Sequence, residues 1–124
     1  FIAGVLLVPA SSRQFKQDIH DMDKASSDLM RLRPVTFRYK KEYDSGGGRM
    51  QYGLIAEEVA EVYPEMVVHD DTGKVKTVEY QKLPAMLLNE LQKQHGKLQE
   101  QEAIITDLTE RLSRLEQILS LPQS

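Results

Sequence analysis

The chain has 124 residues, of which 16 are Lys or Arg and 19 are Asp or Glu, so that its net charge is −3 at pH 7. This length suits one domain with a small core. The weak negative charge does not provide the basic face that nucleic-acid binding requires. The chain contains no cysteine, which excludes disulfides, zinc–thiolate sites and cysteine nucleophiles.

The chain begins with an apolar run, residues 1–8 (FIAGVLLV). This run is too short to span a bilayer, and it lacks the basic residues that begin a signal peptide. We therefore predict no membrane partner. We interpret residues 1–10 as the end of an upstream segment, either a buried strand or an apolar linker.

The next part of the chain predicts a short helix and a hairpin. Asp23 is a candidate N-cap for a helix over residues 25–32. Apolar and polar residues alternate over residues 35–39, as they do in a half-exposed strand. A glycine-rich loop, residues 44–48 (DSGGG), separates this strand from a second one predicted over residues 50–55.

A second helix and a second hairpin follow. Residues 57–63 place apolar side chains on one side and precede a proline, which predicts a short helix. Strands are predicted over residues 66–68 and 75–80, joined by a tight turn at residues 70–73 (DDTG). The body of the chain, residues 11–82, is therefore predicted to be α+β, with short helices and small antiparallel strands.

The last third of the chain, residues 83–121, predicts one long helix with a heptad repeat. A helix packed only on its own domain would show a broader apolar stripe with a period near 3.6. A strict period of about 3.5 instead predicts a parallel coiled coil with other copies of the chain. The alternative is a long helix folded back on its own domain, and the heptads do not choose between two strands and three. The predicted seam consists of Leu87, Leu91, Gln94, Leu98, Gln101, Ile105, Leu108, Leu112, Leu115 and Leu119.

The charges beside this seam favour the parallel arrangement. Lys97 and Arg111 fall at g positions, and Glu102 and Glu116 fall at the e positions five residues later. In a parallel, in-register coiled coil, these positions meet between neighbouring helices. Exposed pairs of this kind contribute only about 0.2–1 kcal/mol each, so they select orientation more than they add stability.

The histidines and carboxylates carry no recognisable chemistry. The three histidines are far apart in the chain and none has a second ligand at helical spacing, so we predict no metal and no cofactor. Glu57 and Glu58 are neighbours on a predicted helix and point away from each other. Asp70 and Asp71 are typical of a turn.

Ser11, Ser12 and Lys16 remain as candidates for chemistry. Serine and lysine at short range can form a nucleophile and its base, as in variants of the serine hydrolases. A lysine acts as such a base only where burial lowers its pKa. Serines that precede a polar segment are more commonly helix N-caps. The spacing by itself leaves both interpretations open.

Four blocks of the sequence resemble a known family. In chain order they are SSRQFKQDI, LMRLRPVTFRYK, YGLIAEEVAEVYPEMV and VKTVEYQKLPAMLLNELQKQ. Together they resemble the C-terminal intramolecular chaperone domain, or peptidase S74 domain, which occurs at the ends of phage endosialidase tailspikes and tail fibres and in myelin regulatory factor. The resemblance runs from Ser11 to Gln94, and the predicted coiled coil continues beyond it.

The resemblance implies a domain that forms a homotrimer through its C-terminal helices and assists the folding of a β-rich fibre upstream in the same polypeptide. That fibre would belong to a virion tail fibre or spike precursor, or to a bacterial fibre-like protein. The resemblance also implies that Ser11 is a nucleophile with Lys16 as its base, and that the domain cuts the bond between Ala10 and Ser11. Gln51 lies where several cleaving members carry a histidine, just before Gly53. These last two residues are the expected supporting positions.

Three functions stay open on the sequence. The first is an assembly chaperone that cuts itself once, and the second is a trimeric cap that does not cut. The third is a coiled-coil adaptor that binds an unrelated partner. A long β-repetitive region upstream would favour the first two, and a compact signalling domain would favour the third.

Overall fold

A computed structural model describes residues 10–44 and 46–120 of the chain. It confirms the α+β fold, with two small antiparallel sheets and a long C-terminal helix. Short 3₁₀ segments connect the larger elements. The apolar run predicted as a strand or linker, residues 1–8, lies outside the described residues. In chain order the strands and helices are β1 (Val35–Phe37), β2 (Gln51–Gly53), α1 (Ala56–Val62), β3 (Val67–His69), β4 (Val75–Val78) and α2 (Leu83–Ser120).

The first predicted hairpin is present, with shorter strands than expected. Strand β1 pairs with β2 so that Val35 lies opposite Gly53 and Phe37 lies opposite Gln51. The chain leaves the ladder after β1 because it turns into a 3₁₀ segment at Lys41–Tyr43. In the connecting loop, the Asp44 carboxylate accepts hydrogen bonds from backbone N–H groups of two of the glycines.

The second predicted hairpin is also present. Strand β3 pairs with β4 with Val67 opposite Val78, and the register shifts between Val68 and His69. Asp70 Oδ1 accepts hydrogen bonds from Thr72 Oγ1 at 2.6 Å and from the turn's backbone N–H groups. These bonds, the one from Thr72 Oγ1 above all, hold the pKa of Asp70 below its ordinary value. The interpretation of Asp70 as a turn residue is therefore confirmed.

The predicted helix over residues 25–32 is wrong. The chain forms two separate 3₁₀ segments there, Asp23–Ser26 and Leu29–Arg31. Asp23 is not an N-cap, since its φ is 48° and it lies inside the first segment. Its carbonyl oxygen accepts hydrogen bonds from the side chains of Asn89 and Lys93 on α2. The polar contacts with α2 therefore hold this segment in a shape that an uninterrupted helix would not have.

The core is small and lies between α1, the second hairpin and the start of α2. At its edge, the Tyr63 hydroxyl donates to the Ala25 carbonyl at 3.0 Å and accepts from the Asp28 N–H at 3.1 Å. Burial raises the pKa of Tyr63. These bonds attach the 3₁₀ segments to the end of α1. The buried apolar residues are Leu29, Val59, Tyr63, Met66, Val67, Val78 and Met86.

Helix α2 packs on the body only through its first turns. Met86 and Glu90 are its buried residues, whereas every residue from 97 to 120 is exposed. A helix folded back along its own domain would bury one face over its whole length, so that alternative does not hold for this part of α2. No helix in the described ranges is both long enough and apolar enough to cross a membrane.

Candidate functional site

A single 3₁₀ turn, Arg13–Phe15, brings Lys16 back to Ser11. Lys16 Nζ donates a hydrogen bond to Ser11 Oγ at 3.1 Å. Five residues of extended chain would span about 16 Å, so this contact depends on the turn. Ser12 begins the turn in an extended conformation, and its Oγ accepts from the Gln14 N–H at 3.4 Å.

The two serines therefore have different roles in the local structure. Ser12 is the N-cap of the turn, as one interpretation of the sequence expected. Ser11 is free of capping and contacts the lysine amine instead. A nucleophile needs a base within hydrogen-bonding distance, and the pair Ser11 and Lys16 meets that geometric condition.

The surroundings of this pair are open to solvent. Residues 10–20 are all exposed, so water and other polypeptide segments can reach the carbonyl carbon of Ala10. In the contact as it stands, the amine is the donor and the hydroxyl is the acceptor. Catalysis by Lys16 requires the reverse polarity, with a neutral amine that accepts the hydroxyl proton. Removing the pair from water would favour that neutral form.

The two expected supporting residues lie on β2 and have other contacts. Gln51 Nε2 donates to the Arg49 carbonyl at 3.5 Å, rather than bonding to Ser11 or Lys16. A Cβ atom at Gly53 would lie 2.8 Å from the Tyr80 hydroxyl. Gly53 thus makes room for Tyr80 in this chain.

Sequence reasoning missed Tyr80. Its hydroxyl accepts from the Leu54 N–H at 3.0 Å and donates to the Leu54 carbonyl at 3.4 Å. Because Tyr80 lies just before α2, these bonds attach the first hairpin to the base of the long helix. The glycine at position 53 was the only sequence signal, and the Tyr80 hydroxyl for which it makes room belongs to a residue 27 positions further along the chain.

Sequence reasoning also missed a polar cluster centred on the buried residues Ser26 and Glu90. We call it the Glu90 cluster, and it is formed by Ser26, Asn89, Glu90, Lys93 and Gln94. Ser26 Oγ is fully buried, donates to Glu90 Oε1 at 3.0 Å and accepts from Asn89 Nδ2 at 2.7 Å. Gln94 Nε2 and Lys93 Nζ each lie 3.1 Å from the Glu90 carboxylate. Within the described ranges, every buried side-chain nitrogen or oxygen has a partner. The hydrogen bond from Gln94, followed by those from Lys93 and Ser26, holds the pKa of Glu90 below its ordinary value.

The predicted coiled-coil seam forms an exposed apolar stripe along α2. Its apolar members range from 54% exposed at Leu108 to 84% exposed at Leu119. Gln94 has a second role, since its amide also belongs to the Glu90 cluster. A stripe of this length has no counterpart on the body to cover it, because α2 leaves the body after its first turns.

No group of three or more His, Asp or Glu side chains in residues 10–44 and 46–120 is arranged to hold a metal ion.

Comparison with family models matches residues 11–68 to Peptidase_S74, described as chaperone of endosialidase. The matched segment begins at Ser11 and contains Lys16, Gln51 and Gly53. A search of curated proteins finds no significant match to the chain. This match over residues 11–68 confirms the resemblance and supports a chaperone role for the domain.

Proposed function

We propose that this chain is a C-terminal intramolecular chaperone that forms a parallel homotrimer through α2 and aligns the upstream fibre segments of three chains. The observation that carries this proposal is the exposed heptad stripe of α2 in a chain whose body matches the endosialidase chaperone family. In this arrangement residues 1–10 end the upstream segment, residues 11–82 form the chaperone body and residues 83–121 form the coiled coil.

The physical reason for such a domain lies in the folding of fibres. Strands from three chains must meet in register before they can pair, and such non-local pairing is slow. A coiled coil forms through local helix and short-range contacts and then holds the other two chains nearby at high effective concentration. Because the helices are parallel and in register, they also align the chain ends.

We further propose that the domain then releases itself by cutting the bond between Ala10 and Ser11. Ser11 Oγ attacks the carbonyl carbon of Ala10 and its proton passes to the Lys16 amine. The bond from that carbon to the Ser11 nitrogen breaks, and the nitrogen takes the proton from Lys16. Water then hydrolyses the ester that joins Ala10 to Ser11 Oγ. The distance of 3.1 Å between Ser11 Oγ and Lys16 Nζ supports this pairing.

Each molecule would perform this reaction once, on its own chain. Holding the reacting groups in one polypeptide supplies a high effective concentration without a separate binding step. The exposed position of Lys16 in the single chain indicates that cutting needs a further event, the covering of the pair by neighbouring chains or by the folded fibre. Cutting would then follow assembly.

A second candidate is a trimeric cap that assembles in the same way and stays attached. It is favoured by Gln51, which stands where the resemblance places a histidine in cleaving members and which bonds to Arg49. A histidine there could orient the pair, and a glutamine cannot exchange a proton near neutral pH.

Mass spectrometry of the full-length polypeptide, expressed with its upstream segment, separates these two functions. Self-cleavage predicts a new N-terminus at Ser11. Ser11→Ala and Lys16→Ala should each abolish that product and leave the oligomer intact, whereas the control Ser12→Ala removes only the weak cap and should still cut. An uncut wild-type trimer would establish the cap instead. In that case Gln51→His tests whether the missing histidine is the reason.

A further inference from the structure

An apolar groove lies on the body beside the base of α2. It has a volume of about 820 Å³ and runs between the 3₁₀ segment Leu29–Arg31, the first hairpin and the first turns of α2. Met30 and Tyr52 line it and are 78% and 81% exposed. Leu83 and Leu87 line its helical side. A groove with large apolar side chains this exposed marks a place where another apolar group binds.

The groove is continuous with the predicted coiled-coil seam. Leu87 both lines the groove and occupies the first d position of the heptads. Leu83 occupies the g position of the preceding heptad. The neighbouring helix of a coiled coil, packed against Leu87, would therefore lie next to the groove.

Leu88 is an apolar residue that the seam does not explain. It occupies an e position, outside the a and d set, and is 56% exposed. The e positions of the later heptads that pair with g-position charges carry Glu102 and Glu116, so a leucine here breaks the charge pattern. In a parallel, in-register coiled coil, each g residue faces the e residue five positions later on the neighbouring helix. The e residue that faces Leu83 is Leu88.

We infer that Leu88 of one chain packs into the groove of the neighbouring chain, against Leu83. This inference rests on the parallel coiled coil proposed above. It adds to that coiled coil a contact between the helix of one chain and the body of the next. The occupant of the groove is thus a second copy of this chain. The apolar groove of each body is covered only in the assembly. Assembly in turn holds the first hairpin against α2.

Photo-crosslinking tests the contact directly. The full chain is made with p-benzoyl-phenylalanine at position 88, and ¹⁴N-labelled and ¹⁵N-labelled chains are mixed, unfolded and refolded together. After irradiation, we expect light–heavy crosslinks from position 88 to groove residues such as Met30, Leu32 and Tyr52. The matched control carries the same probe at Ile104, which is 57% exposed and also outside the a and d set. It should give crosslinks to α2 only.

Sedimentation of the same samples separates this inference from the proposed function. An oligomer whose position 88 crosslinks only to its own chain, or only to the part of α2 beyond Leu87, overturns the groove contact and leaves the coiled coil standing. A monomer overturns both. A second measurement does not depend on the probe: Leu88→Gln should lower the melting temperature of the oligomer by about 4 °C or more, while Ile104→Gln should lower it by less. Equal shifts for the two variants would contradict the contact.

Discussion

At the scale of single residues, local geometry determines which residue type is needed at a position. Ser12 caps a turn, and the turn places Lys16 on Ser11. Gly53 lacks a side chain so that the Tyr80 hydroxyl can reach the Leu54 backbone. In both places the residue type follows from the geometry of a nearby contact, and a substitution can test each contact.

The close approach of the Tyr80 hydroxyl to Gly53 predicts that alanine will have opposite effects on stability at Gly53 and at Gly96. Gly53→Ala places a Cβ 2.8 Å from the Tyr80 hydroxyl, so Tyr80 must move and lose its bonds to Leu54. We expect the free energy of unfolding to fall by at least the roughly 0.5–1.5 kcal/mol of one hydrogen bond. Gly96→Ala meets nothing within 4 Å, and a helical alanine should raise stability by about 0.5–1 kcal/mol. Urea unfolding at one chain concentration measures both, and a loss of stability in Gly96→Ala would contradict this account.

The Glu90 cluster predicts a pH dependence of stability. The folded chain holds the pKa of Glu90 below its ordinary value of 4.5, chiefly through Gln94. The ionised carboxylate therefore stabilises the folded state above that ordinary pKa, and the stabilisation is lost as the pH falls through the folded pKa. Glu90→Gln should be less stable than wild type at pH 7, and the difference should shrink below pH 4.5.

Thermal unfolding between pH 7 and pH 3 measures the difference in stability between Glu90→Gln and wild type. Glu58, whose pKa is lowered by its hydrogen bond to Arg33, and Asp70 also contribute to the acid response, but they are present in both proteins and cancel. Glu100→Gln is the matched control, since Glu100 is an exposed residue of α2. A constant difference between Glu90→Gln and wild type from pH 7 to pH 3 would show that Glu90 acts by packing alone.

At the scale of secondary-structure elements, α2 changes role along its length. Its first turns bury Met86 and Glu90 against the body, where the Glu90 cluster fixes the helix to the segment Asp23–Ser26. Beyond these turns the helix carries only an exposed apolar stripe and charged flanks. We expect a helix that exposes this much leucine to water to be stabilised by association with other helices.

Leu108→Asp tests the association. Leu108 lies at a d position, and an unpaired charge buried in an apolar seam is strongly disfavoured. We expect the variant to sediment as a monomer at micromolar concentration, and the wild type to sediment as a trimer under the same conditions. Ala103→Asp adds the same charge at an f position, on the side of the helix away from the seam, and should leave the trimer intact. A trimeric Leu108→Asp protein would place the seam elsewhere.

At the scale of the whole molecule, the proposed trimer would connect folding, assembly and cutting. The body of one chain buries only a small core and leaves an apolar groove and an apolar stripe in water. Both surfaces lie on or beside α2, so one association event can cover them together. In the full-length polypeptide, Leu108→Asp should therefore also lose the new N-terminus at Ser11, although its serine and lysine are intact. Cutting by that monomeric variant would separate catalysis from assembly.

The α+β class, both hairpins, α1 and α2 could be predicted from the sequence because their signals are local. Each of these signals lies within a short stretch of chain. They are the alternation of apolar and polar residues in a strand, a proline after a helix, and a heptad repeat. The contact of Ser11 with Lys16 is of the same kind, since one turn of five residues makes it. The spacing of the serine and the lysine made this pair a candidate, and the family match over residues 11–68 confirmed the resemblance that includes it.

Only the tertiary structure decided how the base of α2 is held. Ser26 and Glu90 are 64 positions apart, and Leu54 and Tyr80 are 26 apart, so neither pair leaves a periodic signal. The prediction of a helix over residues 25–32 was wrong because this segment also depends on distant residues. The side chains of Asn89 and Lys93 on α2 donate hydrogen bonds to the Asp23 carbonyl. Local propensity is weak compared with buried hydrogen bonds made by distant residues. Where a segment packs on a distant partner, the partner determines its conformation.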